Sequence, residues 1–218
     1  MLKHFALVLL AFVQAEAFRG LRHLPQPPNK GNVEEQYFEQ VLDHFNAIDG
    51  RTWQQRFWVN LDNYVEGGPA FIFIGGEGEA SPGWLNYGQW SKWAQENGAA
   101  MFLLEHRYYG QSKPTEDMSI ENMRYLSSRQ GLDDLGHFMT AMTSTYDLTG
   151  SWITFGGSYP GSMSAWMRLR FPHLVAGSVS SSGPLFAKLN YFEYLEVVAN
   201  ALDTTGPGCS IDKSSQYC

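Results

Sequence analysis

The sequence contains only two cysteines, Cys209 and Cys218, both close to its end. A disulfide framework through the core is thereby excluded, and no Cys/His spacing of a structural metal site occurs. In an oxidising compartment the two thiols could pair with each other or with partners outside the chain, and the sequence leaves both open. Positive charge is also scarce: 15 Lys and Arg face 22 Asp and Glu, for a formal net charge of −7. With no basic run to offset that excess, a nucleic-acid or anionic-membrane partner is not expected. No GxxxxGK[ST] phosphate loop, no Asn-x-Ser/Thr acceptor, no internal repeat and no low-complexity tract is present, and no cofactor or metal is called for. No apolar run reaches the roughly 20 residues needed to span a bilayer, so no membrane span is expected.

What is present begins with Lys3, an apolar run from Phe5 to Val13 and the small residues Ala15 and Ala17. This is the pattern of a secretory signal peptide over residues 1–17. Residues 18–35, with Pro25, Pro27, Pro28 and Gly31, suit a flexible leader. Residues 36–203 are long enough for one domain with a core, and 204–218 form a polar tail.

Within the folded portion, Gln36 to Phe45 and Thr52 to Val59 predict two strands around an Asp49-Gly50 turn. Ala70 to Ile74 and Ala99 to Leu104 are short continuous apolar runs, as expected of strands buried on both faces. Residues 84–97 place Trp84, Leu85, Tyr87, Trp90, Trp93 and Ala94 at roughly helical spacing. Leu132 to Tyr146 carries Leu135, Phe138, Met139 and Met142 on one helical face. Strands over Trp152 to Phe155 and Ala176 to Ser180 flank a helix from Tyr159 to Leu169. Alternation of this kind indicates an α/β fold with a mostly parallel sheet.

The chemistry concentrates in Phe155-Gly156-Gly157-Ser158-Tyr159-Pro160-Gly161, where a serine sits between a predicted strand and a predicted helix. That is the context of a nucleophile elbow, whose sharp turn needs glycines and lifts the serine oxygen above the sheet. The alternative is a Gly-Ser loop without chemistry. Pro160 occupies the place of the last glycine of G-x-S-x-G, and proline is tolerated in a first helical turn. An oxyanion hole would take the Tyr159 backbone N–H and a second N–H from Gly76 or Glu77 in the Gly75-Gly76-Glu77-Gly78 loop.

Gly156 to Gly161, Glu105-His106-Arg107-Tyr108-Tyr109-Gly110-Gln111-Ser112 and Gly75 to Gly78, in their chain order, resemble the serine carboxypeptidase and dipeptidyl peptidase family S28. That family includes lysosomal Pro-X carboxypeptidase, dipeptidyl peptidase II and thymus-specific serine protease. Phe38 to Phe45, Thr52 to Asn60, Tyr125 to Arg129 and Phe171 to Leu174 resemble its thymus-specific branch most. The resemblance implies an α/β-hydrolase core interrupted by a helical cap, a peptide substrate cut at or near prolyl bonds close to a chain end, and a secreted, lysosomal or vesicular location. It also implies a much longer chain, whose cap and triad Asp and His follow the last strand seen here.

The order of triad residues in this fold, Ser then Asp or Glu then His, exposes the same gap. After Ser158 the remaining candidates are His173, behind Phe171-Pro172, and Asp203 and Asp212 in a polar stretch, and all three suit the surface better than a triad. His106 and His137 precede the nucleophile, and His106 lies in a motif with an architectural look. Glu105 and Arg107 suit a loop-fixing role better than the binding of a substrate terminus, while Glu77 is open to attracting a peptide N-terminus. The expectation is therefore the N-terminal part of a serine exopeptidase with Ser158 as nucleophile. The rival expectations are a non-catalytic shortened homologue that binds peptides or modulates the full-length enzyme, and a hydrolase of esters or lipids.

Overall fold

The computed structural model describes residues 33–204 and 206. The expected signal peptide, residues 18–32 of the expected leader, Asp212 and both cysteines lie outside these. The described chain divides into two compact units, one ending at Pro184 and one beginning at Leu185.

The first unit is built on a six-stranded sheet of order β1-β2-β4-β3-β5-β6. Its strands are β1 (Gln36–Val41), β2 (Thr52–Asn60), β3 (Ala70–Ile74), β4 (Ala100–Leu104), β5 (Trp152–Gly157) and β6 (Val175–Ser181). β3, β4, β5 and β6 pair in parallel, while β2 is antiparallel to both β1 and β4. The helices of this unit are α1 (Gln89–Asn97), α2 (Ser128–Thr145) and α3 (Tyr159–Arg170). Alternation along β3 and β4 divides the core between the two faces of the sheet. Ala70, Ile72, Ile74, Ala100, Phe102 and Leu104 pack with Leu135, Phe138 and Met139 of α2 and with Met163 and Met167 of α3. Phe71, Met101 and Leu103 turn the other way, towards Trp90 and Ala94 of α1. Two-sided burial is why these strands read as unbroken apolar runs.

Three expectations needed correction. The first strand stops at Val41, and residues 42–51 form a longer loop in place of a tight Asp49-Gly50 turn. Asp43, Asn46 and Asp49 accept hydrogen bonds from the backbone N–H groups two residues on, at Phe45, Ile48 and Arg51, and these local bonds compete with the ladder. The single helix expected over 84–97 is a 3-10 turn (Pro82–Asn86) followed by α1, broken at Gly88, whose φ of 90° no helix accommodates. α2 begins a turn earlier than its apolar pattern, because the Ser127 hydroxyl accepts the Gln130 N–H at 3.2 Å and caps it.

The second unit contains α4 (Glu193–Asp203), for which the sequence reading proposed no element. Its exposed Tyr194, Leu195, Val197, Val198 and Leu202 follow helical spacing, a signal that was available. Among the described residues no helix is long and apolar enough to cross a membrane.

One ion pair anchors the end of β4 to α2. Arg107, wholly buried, donates Nε and one terminal nitrogen to the two oxygens of Asp134, both at 2.6 Å. Its remaining N–H groups reach the carbonyls of Val41, Leu42 and Tyr125, so all of its donors are satisfied. Removing one partner of such a pair strands a charge away from water. Asp134→Ala is expected to lower the unfolding free energy by about 3–5 kcal/mol, read from urea denaturation.

Candidate active site

β5 runs out at Gly157 and α3 starts at Tyr159, which leaves one residue, Ser158, to make the turn. Ser158 has φ 59° and ψ −129°, a conformation nearly reserved for glycine, and its side chain is exposed. The turn survives because its flanks are pinned. The Ser158 N–H donates to the Ser181 carbonyl of β6 at 2.9 Å, and its carbonyl accepts the Ser162 N–H at 3.2 Å. Close packing explains the neighbouring glycines: a Cβ on Gly156 would fall on the Pro160 carbonyl, and one on Gly161 would come within 2.8 Å of the Ser181 oxygen.

The loop after β3 lies against this turn. A Cβ on Gly76 would come within 2.8 Å of Pro160 Cγ, so the proline standing where the elbow pattern has glycine is matched by a glycine opposite. The backbone N–H groups of Gly76, Glu77 and Tyr159 find no protein acceptor among the described residues. Those of Tyr159 and of Gly161, with Pro160 between them lacking an N–H, stand at the positive end of α3. An exposed hydroxyl thus stands at the start of α3, two residues before the proline on which the Gly76 loop packs.

Around the hydroxyl, Tyr159 turns its phenol towards His106. His106 Nδ1 lies 2.8 Å from the Arg107 carbonyl, which can only accept, so Nδ1 carries the hydrogen. In the neutral ring Nε2 then accepts the Tyr159 O–H at 3.1 Å. Burial pushes the His106 pKa down and keeps that form dominant. Burial, with the charges of Tyr109 and Glu77 adding to it, pushes the Tyr159 phenol up. Glu77 itself is exposed.

The other histidine candidates are placed elsewhere in the first unit. His173 is exposed beyond the far end of α3, whose 12 residues rise about 18 Å from the Ser158 end. His137 bonds Gln40 Oε1 through Nδ1 at 2.7 Å, and Asp203 closes α4 in the second unit. No imidazole among the described residues bonds the Ser158 hydroxyl. Glu105 and Arg107 do hold loops, but they are not partners: Glu105 pairs with Arg56 and Arg107 with Asp134. The sequence reading missed the His106–Tyr159 bond and the nearness of Tyr109. A signal existed, since His106 and Tyr159 each stand two residues past the end of a parallel strand, at Leu104 and Gly157.

Strain at the turn predicts that Ser158→Gly is more stable than Ser158→Ala by about 1–3 kcal/mol, because both lose the hydroxyl but only glycine relaxes the backbone. Matched urea titrations of the two variants check it. Buried His106 predicts a pH dependence. Burial holds its folded-state pKa below the ordinary value. Below about pH 6.5 the unfolded chain therefore binds a proton that the folded ring refuses, and stability falls on acidification. Urea unfolding between pH 7.5 and 5 is expected to show a loss approaching 1.4 kcal/mol per pH unit over the range where the unfolded imidazole is protonated and the folded one stays neutral.

Comparison with known proteins places this geometry. Among solved structures, the thioesterase domain from the curacin biosynthetic pathway superposes with a TM-score of 0.52 at 14% identity, over 79% of this chain and 52% of that one. The peroxisomal α/β-hydrolase Lpx1 of Saccharomyces cerevisiae gives 0.52 at 12% identity, over 80% and 52%. The fold is thus an α/β-hydrolase core, here in part. In sequence, the chain is 44% identical over 186 residues to a serine protease of Caenorhabditis elegans, 84% of this chain and 36% of that protein. It is 42% identical over 179 residues to human thymus-specific serine protease, 81% and 35%. It is 33% identical over 185 residues to mouse lysosomal Pro-X carboxypeptidase, 80% and 37%. The chain thus spans little more than a third of the length of these relatives. The profile of the serine carboxypeptidase S28 peptidases matches residues 40–216, and with relatives this similar the chain belongs to that family.

Proposed function

We propose that Ser158 is the nucleophile of a serine exopeptidase that cleaves peptides near a chain end, with a preference for prolyl bonds. The observation that carries this reading is the exposed hydroxyl held at φ 59° on a strand-to-helix turn beside unengaged N–H groups. In the reaction, Ser158 Oγ adds to the substrate carbonyl. The resulting oxyanion takes hydrogen bonds from the N–H of Tyr159 and from that of Gly76 or Glu77. One such donor is worth about 2.7–4 kcal/mol of transition-state stabilisation. Collapse expels the amine, which takes the proton that the general base removed from Ser158 Oγ, and leaves an ester on Ser158, which water then hydrolyses with the proton returning to Oγ.

A general base and its carboxylate partner belong to the proposal, and we assign them outside the described residues, because His173 stands at the wrong end of α3. The exopeptidase mode is supported by Glu77, an exposed carboxylate whose charge reaches both Tyr109 and Tyr159 and suits a peptide α-amino group. A secretory location, lysosomal or extracellular, is supported by the N-terminal signal pattern and by the lysosomal relative. The absence of an imidazole at Ser158 among the described residues favours a second reading, a peptide-binding chain without turnover.

A fluorophosphonate probe discriminates. Covalent labelling that disappears in Ser158→Ala is the expected result. Labelling that persists in the variant removes Ser158 from the reaction, and peptide binding without any labelling selects the second reading.

A further inference from the structure

The two halves of the candidate oxyanion pocket come from separate places in the chain, the loop after β3 and the first turn of α3. In the structure both are fastened to two consecutive residues at the end of β4. Glu105, wholly buried, accepts the Ala80 N–H at 2.9 Å on Oε1, together with one terminal nitrogen of Arg56 at 2.6 Å. That same Arg56 nitrogen reaches Glu79 at 2.9 Å. Oε2 takes Arg56 Nε at 3.1 Å, the N–H groups of Gln111 and Ser112 at 3.0 Å and the Ser112 hydroxyl at 2.8 Å. The far end of the 75–80 loop is thus held by Glu105. Its near end is held by the Gly75 N–H on the Leu104 carbonyl at 2.9 Å, where a Cβ on Gly75 would come within 2.7 Å of that oxygen. The next residue, His106, holds the other half through the Tyr159 phenol.

We propose that Glu105 and His106 are positioning residues for oxyanion stabilisation, a two-armed clamp in which one residue holds the 75–80 loop and its neighbour holds Tyr159. The inference rests on the reading of Ser158 as nucleophile. Both residues are buried and neither touches substrate, so they act only through the spacing of the N–H donors. That spacing is critical, because a displacement of about 1 Å in reacting geometry costs on the order of 100-fold. Adjacent residues directly after a buried strand are well suited to the task, since their separation is set by covalent geometry and the strand that leads into them is packed on both sides. The clamp also accounts for a wholly buried carboxylate at this position: each of its oxygens is engaged by groups of the loops it joins, which offsets the cost of burial.

The test uses a dipeptide boronic acid ending in boroproline, because its binding needs the oxyanion pocket but no general base. The serine oxygen bonds to boron, its proton passes to solvent, and the tetrahedral boronate places a charged oxygen where the oxyanion would lie. The readout is the ratio of its affinity to that of the matching dipeptide amide, measured on the chain itself. The parent is expected to favour the boronate, and Ser158→Ala to abolish that preference. Glu105→Gln and Tyr159→Phe, the latter leaving the backbone N–H in place, are each expected to lower the ratio about 10- to 100-fold while amide affinity is unchanged. Tyr159→Phe carries the test alone if Glu105→Gln does not fold. Met139→Ala, a core control, is expected to lower Tm and leave the ratio intact, which separates positioning from general stability. Should Ser158→Ala abolish the preference while both clamp variants retain it within twofold, the clamp is overturned. A boronate preference that survives Ser158→Ala, or is missing in the parent, overturns the nucleophile reading and the clamp with it.

Discussion

Three consecutive polar side chains at the end of β4, Glu105, His106 and Arg107, lie almost wholly out of contact with water, and the layout around the candidate site follows from what each must then reach. Taking an ion out of water costs several kcal/mol even after relaxation, so neither Glu105 nor Arg107 can occupy its place without partners. Arg107 draws Asp134 of α2 and the carbonyls that follow β1, fixing the helix against the edge of the sheet. Glu105 gathers Arg56 of β2, the loop after β3 and the turn at Gln111 and Ser112. His106, kept neutral by burial, can only present an acceptor at Nε2, and the Tyr159 hydroxyl supplies the donor. Such networks contribute little net stability against an apolar core of the same volume, but they permit few alternative arrangements. Here the arrangement they permit brings two loops and the start of a helix to the same edge of the sheet.

Against that framework the turn at Ser158 is a place where local stability is given up. Its backbone sits in a region that costs about 1–3 kcal/mol for a residue with a side chain. The bond from its N–H to Ser181, and the glycines that let Pro160 and Ser181 approach, keep the chain there. Strain held by surroundings that over-determine it is the usual way a reactive hydroxyl is kept projecting from a parallel sheet. Pro160 shows the same logic in its packing: the residue that breaks the common elbow pattern fills space that Gly76, in the loop packed against it, leaves open.

Much of this was legible in the residues. The apolar runs of β3 and β4, the strand-to-helix context of Ser158 and the periodic face of α2 each depend on neighbours within a few positions, and each is found where local pattern placed it. The loop at 42–51, the break at Gly88 and the early start of α2 are not encoded in hydrophobic spacing: they depend on side-chain capping and a positive φ, which leave weaker marks in sequence. The loop-fixing role of Glu105 and Arg107 is visible in their place after a buried strand, but the identity of their partners is not. Arg56 lies 49 residues before Glu105 and Asp134 lies 27 after Arg107, and several other charged residues were equally eligible.

The sequence by itself therefore determined the chemistry on offer: an acidic, cysteine-poor chain with strands buried on both faces and one serine set between glycines at a strand end. It did so because secondary structure and turn geometry are governed by short-range sterics and by the period of apolar residues. Only the tertiary structure decided that the loop at Gly76 packs on Pro160, that the Tyr159 phenol meets His106, and that His173 is carried to the opposite end of α3. Those outcomes depend on the order in which strands assemble and on which buried charges find each other. Both are settled by burial and pairing over the whole unit, and no local stretch of residues encodes them.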